Sequence, residues 1–201
     1  MRLLLIRHAL CDPVGRAIAG RSPGVGLNAA GRAQAGALAA RLAHRPLAAV
    51  YASPLARALE TAAAVARPHA LAPRPAPALV ELDFGGWTGR SLDALAAEPG
   101  WAPFNTYRSG TRPPGGELAL EAQARAVAGV LRLAEAHPDG EACVAAVSHA
   151  DVIKAVLGHL LGIPLDLQHR LEIAPASVSA LALHPWGPRV LAIGGDGIEW
   201  S

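Results

Sequence analysis

Three short apolar runs constrain this chain more than any other feature, because helix-forming sequence follows each of them. Arg2–Arg7 (RLLLIR) has the length and pattern of a strand buried on both faces. Ala48–Ala52 (AAVYA) reads as a second strand and Ala142–Val147 (ACVAAV) as a fully apolar one. After the first, Asn28 is placed to cap a helix to about His44, with Leu38 and Leu42 four apart on one face. After the second, Ser53-Pro54 opens a helix to about Arg67, serine as cap and proline at the first helical position. Ala150–Leu161 follows the third. Strands alternating with helices predict an α/β fold, a three-layer α/β/α sandwich around a mostly parallel sheet.

The rest of the chain divides by its breakers. Residues 68–77 hold four prolines and form a linker into a third short strand near Ala78–Val80. Ser91 is placed to cap a short helix, and Pro99–Gly116 reads as a long loop carrying Trp101, Phe104 and Tyr107. Glu117–Ala136 reads as a long helix. The tail, Ser177–Leu183 and Val190–Ile193 around Pro185–Pro188, reads as a hairpin. With no internal repeat, residues 1–201 are expected to form one domain.

Composition excludes several classes. Hydrophobic residues make up 52% of the chain and charged ones 17%, the reverse of a disordered balance. A net charge of +2 from 18 basic and 16 acidic residues, without a basic block, argues against nucleic acid as partner. Cys11 and Cys143 make neither a disulfide framework nor a zinc site. Met1–Ile6 is too short for a signal-peptide core, and no apolar run reaches bilayer length. The expectation is a soluble cytoplasmic protein without a membrane partner. The alanine-rich helices and apolar hairpin leave a homodimer open.

Charged and nucleophilic residues fall where strands hand over to loops or helices. Arg7-His8 ends the first strand, Ser53 to Arg57 follows the second, and Ser148-His149 ends the Ala142–Val147 strand. In open α/β sheets those carboxyl ends line the ligand crevice. Two arginines offer forked hydrogen bonds to a phosphoryl dianion, and the helix after His149 adds backbone N–H donors. One histidine can attack phosphorus while its neighbours hold the other oxygens. Glu81 is placed as acid for the leaving oxygen, with Asp83 two residues on as the alternative. Taken alone, Arg57 also reads as the partner of Glu60, a spacing of three that is common on solvated faces. His44, His69, His137, His159, His169 and His184 are scattered and read as solvated or structural.

These residues belong to longer motifs. Leu5-Ile6-Arg7-His8 resembles the opening signature of the histidine phosphatase superfamily, which includes the cofactor-dependent phosphoglycerate mutases. Leu27 to Ala35, Ser53 to Ala62 and Val147-Ser148-His149 agree in the same order. Glu81 to Gly89 resembles the segment holding the family's proton donor, and Gly115-Gly116-Glu117 before a long helix also fits. The resemblance covers nearly the whole chain and implies the phosphoglycerate mutase-like fold. It makes His8 the nucleophile, Arg7, Arg57 and His149 the phosphate clamp with Ala150 beside them, and Glu81 the general acid and later base. It implies no metal and no cofactor.

The pattern also departs from the family's. Ala9 and Ala150 stand where glycines are usual, and Leu10-Cys11 replaces a common Glu-Thr; Cys11, a weak donor, is the candidate substitute in the phosphate shell. Leu82 and Phe84 occupy positions where the family's mutases usually carry Arg and Tyr, which favours transfer to water and the phosphatase branch. A small phosphorylated metabolite is the implied substrate. Arg21, Arg108 and Arg112 are candidates to bind its leaving group, the last two from a loop that reads either as a lid or as a core anchor. A phosphomutase is the alternative, and a degraded module that binds a phosphorylated ligand without turnover is the third reading.

Overall fold

The structure, a computed structural model, describes residues 1–138 and 140–195. Strand β1 (Arg2–Arg7) is followed by helix α1 (Ala29–Leu42), β2 (Ala49–Ala52), α2 (Ala56–Ala66) and a two-residue strand β3 (Arg74–Pro75). Then come α3 (Leu92–Ala96), α4 (Trp101–Thr106), α5 (Ala119–Glu135), β4 (Cys143–Ser148), α6 (Ala150–Leu161), β5 (Val178–His184) and β6 (Gly187–Gly195). The six strands form one sheet in the order β3-β2-β4-β1-β5-β6. The first four run parallel, β5 pairs antiparallel with β1, and β6 pairs antiparallel with β5 at the sheet's edge.

The apolar runs are explained by burial on two sides. In β1, Leu4 and Ile6 pack with Leu38, Leu42, Ala62 and Val65 of α1 and α2. Leu3 and Leu5 face the other way, onto Val130, Ile153 and Val156 of α5 and α6. Each fully covered Leu or Ile contributes about 1.5–3 kcal/mol, so a strand with both faces covered has no place for a polar residue until it ends. The α/β/α sandwich and the terminal hairpin are therefore as expected. Asn28 caps α1 through Gly31 N–H and Ser91 caps α3 through Ala94 N–H, both side chains accepting. Among the described residues no helix is long and apolar enough to cross a membrane.

Three local expectations fail, each for a physical reason. Ala78–Val80 is not a strand: Pro77–Leu79 is a 3-10 turn and the pairing lies earlier, at Arg74–Pro75. Pro73, Pro75 and Pro77 remove every second N–H, so the ladder stops after Ala76 N–H meets the Ala52 carbonyl. Helix α2 begins two residues later than Ser53-Pro54 implies, with Leu55 at its cap, because Ser53 Oγ is engaged elsewhere. The 99–116 stretch contains α4, whose Pro103 sits in the first turn, where a missing N–H costs nothing.

One close approach matters for the site. A Cβ on Gly129 of α5 would lie 2.6 Å from the Ala78 side chain. Glycine there lets α5 press against the 3-10 turn that leads into Glu81.

Candidate active site

The ends of β1, β2 and β4 lie level, because Arg7 pairs with Ser148 and Ala52 with Val147. The chain therefore leaves the sheet at one edge three times, delivering His8, Ser53 and His149 together. A cleft of about 190 Å³ opens there, lined by Arg7, His8, Arg57, Glu81, Ala150 and Asp151 among others. Arg57 reaches it from the first turn of α2, with its side chain buried rather than solvated. Glu60 is not its partner; that carboxylate accepts from the Leu27 N–H.

His8 is 4% exposed, and its tautomer is determined twice. Nδ1 faces the Ala9 carbonyl at 2.8 Å and so carries the proton. Nε2 accepts from Arg57 Nε–H at 3.3 Å and so keeps its lone pair. Burial lowers the pKa of the ring to about 3; the Arg57 and Arg7 charges add to this, against the bond to Ala9. The ring is a neutral base and nucleophile at any ordinary pH.

The cations around it are incompletely satisfied. Arg57 gives Nη2–H to the Gly20 carbonyl at 2.7 Å, while its buried Nη1 has no partner. Arg7 gives Nη1–H to the Ile173 carbonyl at 2.6 Å and its Nε is likewise without one. Burial lowers the pKa of both guanidiniums, opposed by Glu81. Buried donors without partners are the mark of a site that receives an acceptor-rich anion.

His149 lies fully buried with its ring centroid 5.1 Å from that of His8. Ser53 Oγ meets its Nε2 at 2.8 Å and itself accepts weakly from Leu55 N–H. Nδ1 has no hydrogen-bond partner and faces Glu81 Oε2 at 3.8 Å, an acceptor that favours the tautomer with the ring's hydrogen on Nδ1. That contact is not an ion pair, because burial, then His8 and Arg57, hold His149 well below the ordinary histidine range.

Glu81 follows the 3-10 turn rather than a strand. Its Oε1 accepts from Leu82 N–H at 2.9 Å. Burial, then the Asp151 charge, push its pKa up to about 7, against Arg57, the Leu82 bond and Arg7. Its carbonyl is gripped from two sides, by Arg21 Nε–H at 2.8 Å and Arg125 Nη2–H at 3.1 Å. Glu117 accepts from both arginines and ties them together. Asp83, the alternative acid, is not among the residues lining the cleft. Its Oδ1 closes the following turn on Gly85 N–H and its Oδ2 meets Arg21.

The candidate leaving-group residues divide. Cys11 is buried and lines the cleft, and burial raises its thiol pKa, so it stays protonated. Arg21 does not line the cleft; its bonds to Glu81, Asp83 and Glu117 make it a buttress. Arg108 lies at the rim, its Nη1 2.7 Å from Asp151 Oδ1 and its guanidinium 4.6 Å above the Phe104 ring. Arg112 is exposed and forms a two-pronged pair with Glu121 at the start of α5, away from the lining residues. Phe104 is fully buried against Phe84 and Trp87, which makes it core. Ala9 and Ala150 need no glycine: the non-glycine residues at positive φ are Ala70 and Ala176.

Some participants escape a reading by sequence. Ser53 looks like a helix cap, and only the fold brings it to a histidine 96 positions away. Thr61 Oγ1 accepts from Ala9 N–H and donates to the Arg57 carbonyl, linking two motifs. Asp151 had a signal, an acid in the first turn of the helix after His149. Glu117, just before α5, and Arg125 within it lie eight positions apart. Among the described residues no group of three or more His, Cys, Asp or Glu side chains is arranged to hold a metal ion.

A family model for the histidine phosphatase superfamily, branch 1, matches residues 3–195. A bifunctional protein of Mycobacterium tuberculosis is 36% identical over 181 residues, 89% of this chain and 49% of that protein. The chain thus spans about half the length of the curated relatives it matches first. A mycobacterial glucosyl-3-phosphoglycerate phosphatase is 27% identical with a TM-score of 0.87, covering 97% of this chain and 99% of that one. The alpha-ribazole phosphatase of Shigella flexneri is 25% identical with a TM-score of 0.88, covering 100% of both.

Proposed function

This chain belongs to the histidine phosphatase superfamily, branch 1, and from that premise we propose that it hydrolyses a small phosphate monoester through a phosphohistidine on His8. The observation that carries this reading is the unprotonated His8 Nε2 beside the unpartnered donors of Arg57, Arg7 and His149. The phosphoryl group sits among those donors. The His8 Nε2 lone pair attacks phosphorus as the ester P–O bond breaks. Glu81, protonated up to about pH 7, gives its proton to the leaving oxygen. Water then attacks the phosphohistidine and loses a proton to the Glu81 carboxylate, which returns His8 neutral and releases phosphate.

Transfer to water, rather than back to the substrate, is supported by the apolar Phe84 that lines the cleft beside the acid, where a second phosphate would find no side-chain donor; Leu82 is buried in the core behind it. The likeness to two phosphatases supports the same choice. Phosphate release from a panel of monoesters, wild type beside His8→Ala and each with EDTA, tests the reading. The expected result is release by the wild type alone, at least ~10³-fold above the variant, with an acid-labile phosphoenzyme. Equal release by both proteins overturns it. Isomerisation of the ester without free phosphate, under a bisphosphate primer, replaces hydrolase by mutase.

A further inference from the structure

The cleft is cationic only at its floor. Its upper wall is apolar, formed by Val14, Ala17, Ile18, Phe84 and Leu92. That wall is built into the main chain. Leu92 N–H bonds the Arg16 carbonyl at 2.9 Å, Ile18 N–H the Arg90 carbonyl at 3.0 Å, and Gly89 N–H the Ile18 carbonyl at 2.7 Å. Ala17 and Ser91 pair as an isolated antiparallel bridge. Behind the wall, Ile18 and Phe84 belong to a cluster with Leu82, Trp87, Leu95 and Phe104. The wall is the open face of a small hydrophobic core.

The cations around the cleft already hold carboxylates. Away from the lining, Arg21 is held by Asp83 and Glu117, and Arg112 by Glu121. Nearer, Arg108 is stacked on Phe104 and pairs through Nη1 with Asp151, its buried Nε left without a partner and its side chain 12% exposed. Arg16 is exposed on the same loop but is not among the lining residues. Beyond the two clamp arginines, the charged side chains that line the cleft are the carboxyls of Glu81 and Asp151. A leaving group with a second anionic group would meet an apolar wall and, in Asp151, a carboxylate that already occupies Arg108, so its charge would be desolvated without a free cation. An uncharged one gains by covering the wall. At about 190 Å³ the cleft is smaller than the roughly 300–1,000 Å³ that drug-sized ligands occupy, so the leaving group is small.

We infer that the site selects monoesters of small, uncharged alcohols or phenols with an apolar face, and discriminates against leaving groups that bear a carboxylate or a second phosphate. This rests on the hydrolase reading above. Phenyl phosphate and 4-carboxyphenyl phosphate share a ring and differ by one charge, so the full-length chain is assayed on both. The expected kcat/KM for phenyl phosphate is higher by about tenfold or more, because the carboxylate loses water against the wall without gaining a partner. Leu92→Lys, which sets a cation in the wall, is expected to shrink that ratio, with circular dichroism reporting its fold. If that variant does not fold, the wild-type ratio still decides. Equal rates, or a preference for the carboxylate such as release of Arg108 from Asp151 would produce, overturn the inference and leave the hydrolase reading standing. A folded wild type that releases phosphate from neither ester overturns both. A folded Leu92→Lys protein with the wild-type ratio overturns the assignment of selectivity to the wall.

Discussion

The two ends of the central sheet carry opposite kinds of hollow. Where β1, β2 and β4 finish, the cleft is small and floored by buried His8 and Arg57 with His149 behind them. Where β1 and β4 begin, a hollow of about 550 Å³ lies between α5, α6 and the β5–β6 turn, lined by apolar residues such as Val130, Val156 and Leu183. Volume points to the second and chemistry to the first. What separates them is unsatisfied polarity: the small cleft spends burial on groups that need a partner, and the large hollow leaves apolar surface uncovered. Parallel strands explain why, since all their chain exits face one edge.

Substitutions on either side sharpen the contrast. Glu81→Gln is expected to lower kcat by about 10²–10⁴ on an alkyl phosphate, and far less on p-nitrophenyl phosphate, whose leaving oxygen needs no proton. A uniform loss on both esters assigns Glu81 a role other than acid. Arg57→Ala should cost about 10²–10³ in kcat, as loss of a preorganised donor to a developing charge does. Ser53→Ala should cost about tenfold, by freeing the His149 tautomer while the fold melts near its wild-type temperature. At the other end, Leu131→Ala lines the large hollow and is expected to leave turnover within about twofold. A large loss there would erase the distinction between the two ends.

The pH profile gives the smallest and most specific test. The proposed mechanism needs His8 deprotonated, hence pH above about 3, and Glu81 protonated, hence pH below about 7. The kcat/KM should therefore fall as pH rises through about 7. Asp151→Asn removes a charge that raises the Glu81 pKa, so that limb should move to lower pH in stopped assays across a buffer series. A limb that moves up would mean that Asp151 acts on another group.

Much of this arrangement is legible in the sequence because its parts are local. RLLLIR followed by His8, and CVAAV followed by Ser148-His149, announce a buried strand and its polar exit within a few residues. What is not legible depends on distance or on competition. Ser53 carries a perfectly good cap signal, and the hydrogen bond that outcompetes it comes from His149, just past the end of β4. The prolines of 73–77 mark an irregular stretch, yet whether any ladder bond survives among them depends on β2. Arg21 reads as a ligand for substrate as readily as a strut for Glu81, since a guanidinium serves both, and only Glu117 and Arg125 opposite it decide. Phe104 sits among glycines and prolines that imply a loop, while the ring itself fills a core.

The half-satisfied Arg57 has a further consequence. A folded chain that buries a guanidinium with one donor unmet is more stable with any tetrahedral oxyanion bound than without, by RT ln(1 + [anion]/Kd), or about 2.7 kcal/mol at a hundredfold excess over Kd. Inorganic phosphate fits that description as well as an ester does. On the proposed reaction, the floor that would capture the ester would also hold the phosphate left from it. Free phosphate is then both a stabiliser of the fold and a competitor for the site.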